Sequence, residues 1–296
     1  MAQACLLPDR AVLQIGGSEA QDFLQNLLSN NLDLISPERA IYTLLLTPQG
    51  KYLFDFFLME KDGAYLVDCD RTVASELLKR LTFYKLRADV SLSNLSQDWA
   101  VGVTFDSDAA AEAQPAQSGE ATPFHDGIRF HDPRLPALGT RFLVPKNKFE
   151  AALAEAGSPC EPQDYNRFRL SLAIPGADDL IADKTFPLEA NLDLLNAIDY
   201  QKGCFVGQEV TSRTHRQGKV RKRILCVSSA TALPPSGSAI MAGERQAGAL
   251  LSSSDDKGLA LLRLDRLDQT LNVDGTDIEV RFPDWLTNAL PEDDSQ

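Results

Sequence analysis

The chain has 296 residues, of which 44% are hydrophobic and 24% charged, and its formal net charge is −13. This composition is ordinary for a globular protein, and the length suits two or three domains. The negative charge makes most of the surface unfavourable for nucleic acid. The longest apolar runs are too short and too interrupted to span a bilayer.

The number and spacing of the cysteines limit which disulfide and metal sites the chain can form. The cysteines are odd in number and widely spaced, and none form a Cys-x-x-Cys pair: Cys5, Cys69, Cys160, Cys204 and Cys226. We therefore expect neither a disulfide framework nor a four-cysteine metal or cluster site held by this chain alone. The N-terminus shows neither a secretion signal nor a transit-peptide pattern, which predicts a cytoplasmic protein.

The first 160 residues alternate between short strands and amphipathic helices. Ser18 followed by Gln21 has the pattern of a capping box that begins the first helix. A strand–strand–helix–strand order is typical of a ferredoxin-like α+β layer. Residues 106–123 are rich in small, polar and acidic residues, which predicts a flexible surface loop. Strands are predicted over 11–15, 42–46, 52–59, 64–67, 86–92, 100–105, 127–130 and 140–144.

Asp55 lies within the second of the two strands joined by the turn 47–50, among leucine and phenylalanine side chains. A carboxylate in apolar surroundings is costly unless it has a partner or faces a cleft. Asp55 therefore either serves a functional cleft or points to solvent from an edge strand.

Tyr165 and Ser171 lie on a predicted amphipathic helix that ends at Pro175. Its pattern alone indicates that Tyr165 is a partly buried helix aromatic. An irregular loop over 183–191 then leads to the most unusual stretch of the chain.

That stretch is residues 202–209, Lys-Gly-Cys-Phe-Val-Gly-Gln-Glu. Gly203 and Gly207 allow the backbone to turn tightly on both sides of Cys204. The pattern predicts a presented, reactive thiol. The alternative is that Cys204 is a small buried hydrophobic residue.

The neighbours of this thiol support the first interpretation. Lys202 would stabilise the thiolate, because a nearby cation favours the charged form. Gln208 and Glu209 would begin a helix whose first-turn amides face the sulfur, with Phe205 completing the turn.

A basic segment follows, and the last third of the chain reads as short strands. Residues 202–223 contain one acidic residue, Glu209, and we interpret them either as an anion site or as a solvated face. The strand spacing after Gly218 predicts a small β-barrel, and 291–296 is an acidic tail. The basic residues are Lys202, Arg213, Arg216, Lys219, Arg221, Lys222 and Arg223.

The octet 202–209, with the basic segment after it, resembles the signature of the YgfZ family. These are folate-binding proteins of iron–sulfur cluster assembly and repair, related to the glycine-cleavage T-protein, an aminomethyltransferase. Weaker similarity covers most of the chain from about Ala11. The resemblance implies an α+β, T-protein-like arrangement of three domains with a ferredoxin-like insert and a C-terminal β-barrel. The implied domains are 1–40 plus 161–217 for folate binding, 41–160 for the ferredoxin-like domain, and 218–290 for the barrel.

The resemblance also implies roles for single residues. Cys204 would be a redox-active thiol or a shared cluster ligand, and Lys202 its activator. Asp55 matches an aspartate that serves the folate chemistry of the T-protein. Ser171 stands where the T-protein has a glutamate that hydrogen-bonds the pterin, which counts against aminomethyl transfer. The implied signature turn is Gly203, Phe205, Gly207, Gln208 and Glu209, and the implied folate contacts are Tyr165, Ser171, Arg213 and Arg216.

The expected function is that of a tetrahydrofolate-binding accessory protein for assembly or repair of 4Fe-4S clusters in client enzymes, including tRNA-modifying enzymes. Expected ligands are tetrahydrofolate or another reduced folate, as reactant or structural ligand, and a transient iron–sulfur cluster. Expected partners are iron–sulfur carriers and client iron–sulfur proteins. One alternative is a folate-dependent aminomethyl- or methyltransferase. The other, a tRNA-binding module, is disfavoured by the acidic charge.

Overall fold

The computed structural model describes residues 1–107, 118–218 and 220–288. The chain divides into two compact units: Met1–Tyr165 with Leu195–Val210, and Asn166–Leu194 with Thr211–Gln296. Within the described ranges, no helix is both long and apolar enough to cross a membrane. The predicted acidic tail 291–296 and Lys219 lie outside the described residues.

The described part of the first unit contains two sheets and three α-helices that lie wholly within it. The five-stranded sheet has the order β3-β4-β5-β2-β6 and is antiparallel throughout. The six-stranded sheet has the order β11-β1-β7-β10-β9-β8, in which only β1 and β11 pair in parallel among the described pairings. The strands are β1 Gln3–Leu6, β2 Arg10–Gly16, β3 Ile41–Leu46, β4 Tyr52–Lys61, β5 Ala64–Asp70, β6 Ser91–Asn94, β7 Trp99–Phe105, β8 Ala121–Phe124, β9 Gly127–His131, β10 Thr140–Pro145 and β11 Ser158–Pro159, and the helices are α1 Ala20–Leu27, α2 Ala74–Lys85 and α3 Phe149–Ala156.

The alternation of side chains along β4 places its residues on the two faces of the five-stranded sheet. Phe54, Phe56 and Leu58 join the core that α1 and α2 cover with leucines three and four residues apart. Asp55 and Phe57 point to the opposite face. There the Phe57 ring lies 5.9 Å from the ring of Phe130 on β9, so this face packs against the six-stranded sheet.

The second unit is a closed six-stranded barrel with the order β12-β15-β14-β13-β16-β17. Its interior is filled by alternating aliphatic side chains such as Leu225, Val227 and Leu262, as expected for a small barrel. The division between the two units falls inside two helices. It follows Tyr165 in α4, Pro162–Ser171, and Val210 in α5, Gln208–Gln217. The remaining elements are β12 Lys222–Ser229, β13 Ala239–Ala242, β14 Arg245–Ser254, β15 Lys257–Arg263, β16 Leu271–Val273, β17 Thr276–Arg281 and α6 Asp284–Thr287.

The predicted domain boundary at residue 40 is wrong, because it would cut through one sheet. β2, assigned to the N-terminal domain, pairs along its length with β5 from the predicted ferredoxin-like domain. Residues 41–160 also supply strands to both sheets of the first unit, so they do not form a separate layer. Residues 166–194, assigned to the folate-binding domain, belong to the second unit.

Three local predictions are also corrected. Ser18 does not cap α1, because its hydroxyl donates to Asp89 and the helix begins at Ala20. Leu86 is the residue that ends α2, so the strand predicted over 86–92 is reduced to Ser91–Asn94. The loop predicted over 106–123 ends in a strand, Ala121–Phe124, and its central residues 108–117 lie outside the described part.

Candidate functional site

The residues 202–207, called here the signature loop, begin at a buried lysine. The ammonium group of Lys202 donates hydrogen bonds to the backbone carbonyls of Gln25 at 2.7 Å, Leu28 at 2.6 Å and Asn30 at 2.9 Å. Carbonyl groups at a helix C-terminus lack intrahelical donors and carry partial negative charge, so α1 provides a natural site for a cation. Burial lowers the pKa of Lys202 to about 8.

This geometry corrects the role predicted for Lys202. The three N–H groups of the ammonium are used by the three carbonyls, and its ring contact is to Phe205, at 5.5 Å. Lys202 therefore anchors the loop to α1, and its three hydrogen bonds go to backbone carbonyls instead of to Cys204.

Gly207 fixes the other end of the loop against the β3–β4 turn. Its φ is +85°, and a Cβ there would lie 2.5 Å from the carbonyl oxygen of Thr47 and 3.0 Å from Cα of Gly50. Only glycine combines this conformation with such a close approach of two backbones. Between the two anchors, Phe205 is buried and Val206 packs against the core of the first unit.

Cys204 lies between these anchored residues and is exposed to solvent. All five cysteines are in the described part of the chain, and the others are buried, or half-buried in the case of Cys160. Gly203 is also exposed, with nothing within 4 Å of the position a Cβ would occupy. The prediction that the loop presents its thiol agrees with this geometry, and a buried hydrophobic role for Cys204 does not.

α5 begins at Gln208, directly after Gly207, as the glycine pattern predicts. The Gln208 side-chain amide donates to the carbonyl of Gly203 at 3.4 Å, which closes the loop across Cys204. Glu209 is exposed on the first turn of this helix.

Asp55 is half-buried and accepts hydrogen bonds from the hydroxyls of Tyr42 at 2.9 Å and Tyr52 at 2.7 Å. Burial and the adjacent carboxylate raise the pKa of both tyrosines. The edge-strand interpretation is wrong, because β4 pairs with β3 on one side and β5 on the other. The structure thus holds this carboxylate in place with two donors.

A larger polar group, which the sequence analysis missed, lies beside this carboxylate. We call it the guanidinium cluster: Arg10, Arg134 and Arg141 around the Phe57 ring, paired with Asp68 and Asp132. The guanidinium carbons lie 5.8, 5.0 and 4.4 Å from the ring centroid, within the range of cation–π contacts. Since Asp68 is on β5 and Arg141 on β10, the cluster joins the two sheets of the first unit.

The sequence offers only a weak signal for this cluster. Tyr42, Phe57 and Asp68 are register partners across β3, β4 and β5, so they form one row on the same face of the sheet. In the sequence, however, a single charge within a strand has the pattern of a solvent-facing residue.

The predicted folate contacts lie in both units, and two of them already have partners within the protein. Tyr165 is 6% exposed, its ring lies 5.4 Å from the ring of Phe105, and its hydroxyl accepts from Arg134 at 3.5 Å. Ser171 donates to the carbonyl of Phe168 in its own helix, at 2.7 Å. Arg213 and Arg216 are exposed on α5.

The basic residues of the segment 202–223 have different partners in the structure. Lys202 is used by α1, and Arg223 is buried, where it pairs with Asp193 at 2.8 Å and donates to the carbonyl of Leu188 at 2.7 Å. Lys202 and Arg223 are therefore each held by partners within their own unit. The described residues contain no group of three or more His, Cys, Asp or Glu side chains that could hold a metal ion.

Known proteins resemble the chain at two levels. The family described as "CAF17, C-terminal beta-barrel domain" matches residues 221–288. The mouse (Mus musculus) protein "Iron-sulfur cluster assembly factor IBA57, mitochondrial" is 31% identical over 96% of this chain and 85% of its own length. The human (Homo sapiens) protein of the same name is 30% identical with the same coverage.

Among solved structures, the glycine cleavage system aminomethyltransferase T from Bartonella henselae superposes with a TM-score of 0.76. It covers 96% of this chain and 86% of that chain at 12% identity, so the likeness concerns the fold. The predicted T-protein-like fold with a C-terminal barrel is confirmed. The prediction of a cytoplasmic location is contradicted by the relatives, which are named as mitochondrial proteins.

Proposed function

This chain belongs to the IBA57 family of iron–sulfur cluster assembly factors, and we propose that Cys204 is the thiol through which it holds a cluster together with a partner protein. The observation that carries this proposal is the exposed sulfur on a loop fixed at both ends, by Lys202 and by Gly207.

The chemistry follows from the ligand count. Thiolates are the usual ligands of iron–sulfur clusters, which need about four of them. One exposed cysteine supplies one ligand, so the remaining ligands come from the partner. Anchoring the loop before the partner arrives reduces the conformational entropy lost on binding. The cluster is then cargo shared between two proteins.

A complementation experiment tests the thiol. In cells that lack the native gene, we expect Cys204→Ser to leave 4Fe-4S enzyme activity near the level of the deletion, with normal protein abundance. Cys160→Ser removes a half-buried thiol and serves as the matched control, which we expect to restore activity. Full rescue by Cys204→Ser would remove the thiol from the mechanism.

We further propose that the protein binds tetrahydrofolate and is closely related to the YgfZ proteins. Its client enzymes would include tRNA-modifying enzymes. The T-protein-like fold supports a folate ligand, whereas the placement of Tyr165 and Ser171 does not. Titration of the protein with a reduced folate, followed by tryptophan fluorescence, tests the ligand directly. Saturable quenching that Tyr165→Phe leaves unchanged would place the folate away from this residue.

The alternative of a folate-dependent transferase is favoured by one observation, the carboxylate of Asp55 held by two tyrosine hydroxyls. Incubation with folate and an aminomethyl donor tests it. Turnover that disappears in Asp55→Asn would favour the transferase over the accessory role.

A further inference from the structure

The C-terminal end of α2 exposes two large apolar side chains. Phe83 is 74% exposed and Leu86 is 84% exposed, the highest values for large hydrophobic residues after Met1 in the described part of the chain. Burying either side chain would stabilise the protein, so their exposure needs an explanation outside folding.

The backbone at Leu86 strengthens this point. Leu86 ends α2 with φ at +47°, a positive value that residues other than glycine rarely adopt. A leucine here is strained and gains no packing in return. Strain kept at an exposed apolar residue is typical of a functional surface.

The surroundings of the two side chains are basic. Lys79 and Arg80 lie 3.7 and 4.0 Å from Glu76. Because these ion pairs are exposed to solvent, they contribute little to the stability of the protein. In a chain with a net charge of −13, residues 76–89 contain four basic residues against two acidic ones, Glu76 and Asp89, and the carboxylate of Glu19 contacts this segment at the backbone N–H of Asp89. We call the surface the α2 knob: Phe83 and Leu86 with Lys79, Arg80, Lys85 and Arg87.

The α2 knob and Cys204 are tied to opposite ends of α1. At the N-terminal end of α1, the backbone N–H of Glu19 donates to the carbonyl of Asp89, three residues after Leu86. At the C-terminal end, the carbonyls of Gln25 and Leu28 hold Lys202, two residues before Cys204. An eight-residue helix is about 12 Å long, and a standard interface buries about 800 Å² per partner, so one partner can cover both features.

We propose that the α2 knob is the docking surface for the iron–sulfur partner, whose matching face is acidic around an apolar pocket. This proposal rests on the proposed function, since it names the surface on which the protein that shares the Cys204 cluster binds. A second copy of this chain fits less well. A twofold interface over the knob would place its basic residues near their own copies.

The test measures binding of the apo form of an iron–sulfur cluster carrier protein from the same cell by isothermal titration calorimetry. We expect Phe83→Ser and Leu86→Gly each to raise the Kd at least tenfold, and Arg87→Glu to raise it and weaken its salt dependence. Leu86→Gly relieves the backbone strain, so its melting temperature should equal or exceed that of the wild type. Ile181→Ser removes another exposed aliphatic side chain, 50% exposed, and should leave the Kd unchanged.

These measurements distinguish failure of the docking surface from failure of the proposed role of Cys204. Unchanged Kd values for both knob variants, no binding by the wild type, or a wild-type dimer that Leu86→Gly dissociates would each overturn the docking surface. Cys204→Ser should bind the apo carrier normally and fail to retain a cluster. Retention of the cluster by Cys204→Ser, with weak binding by the knob variants, would refute the thiol and support the knob.

Discussion

The guanidinium cluster and the signature loop both bury positive charge in the first unit, yet they stabilise it differently. In the cluster, burial opposes the charge of Arg10, but Asp68 and Asp55 together outweigh burial and raise the pKa of Arg10. In the loop, the hydrogen bonds of Lys202 go to backbone carbonyls, and burial lowers its pKa to about 8 although Asp199 and Asp33 act in the opposite direction. The cluster's cations thus have carboxylate partners in direct contact, whereas the ammonium of Lys202 is held by the partial charges of carbonyl groups. The cluster depends on side-chain identity, and the loop depends on backbone geometry.

The largest expected effect comes from removing a counter-charge in the cluster. Asp68 is fully buried and accepts from Arg10 at 2.6 Å and from Arg141 at 2.7 Å. Asp68→Asn leaves the buried Arg141 and the half-buried Arg10 without this partner, so we expect the free energy of unfolding to fall by about 3–5 kcal/mol. Urea denaturation measures the loss.

The matched control is Asp265→Asn, which removes the carboxylate of an exposed Arg263–Asp265 pair and should change stability little. Burial alone would raise the pKa of Asp68, but Arg10 and Arg141 outweigh burial and lower it. The contribution of Asp68 is therefore present above its ordinary pKa and lost as pH falls through the lower folded value. Equal urea midpoints for Asp68→Asn and wild type would contradict the paired-charge description.

The second effect tests backbone geometry at the end of the loop. Gly207→Ala introduces a Cβ at φ +85° and 2.5 Å from the Thr47 carbonyl oxygen. We expect a loss of about 2–3 kcal/mol in the free energy of unfolding. A loss below about 0.5 kcal/mol, within the usual range of surface substitutions, would mean that the turn moves away freely.

The third effect uses the pKa of Lys202. Between its folded pKa of about 8 and its unfolded value of about 10.4, the unfolded chain binds a proton that the folded chain has released. Stability conferred through this residue should therefore rise with pH between pH 8 and 10, by about 1 kcal/mol because solvent screens part of the effect. Denaturation of wild type and Lys202→Met across this range isolates the contribution. Parallel pH profiles would show that the carbonyls keep the ammonium charged.

The sequence predicts those features of the site that depend only on residues close together in the chain. The glycine at 207, the start of α5 and the presented thiol all follow from local chain geometry, and the structure has them together. The role of Lys202 could not be predicted, because its carbonyl partners precede it by 172 to 177 residues. The pairing of Asp68 with Arg141 is hidden for the same reason, since 73 residues separate them.

The smallest expected effect concerns the other glycine of the loop, and it separates folding from function most cleanly. Gly203 is outside the positive-φ set that includes Gly207, and a Cβ there would meet nothing within 4 Å. Gly203→Ala should leave the free energy of unfolding unchanged or raise it by about 0.5 kcal/mol, because alanine restricts only the unfolded chain. Urea denaturation beside Gly207→Ala makes the comparison. A loss of more than about 1 kcal/mol, well beyond the ordinary surface range, would show that the loop is held by more than its two anchors. A stable variant that fails to restore 4Fe-4S enzyme activity would instead show that the open space beside Cys204 is needed by the partner.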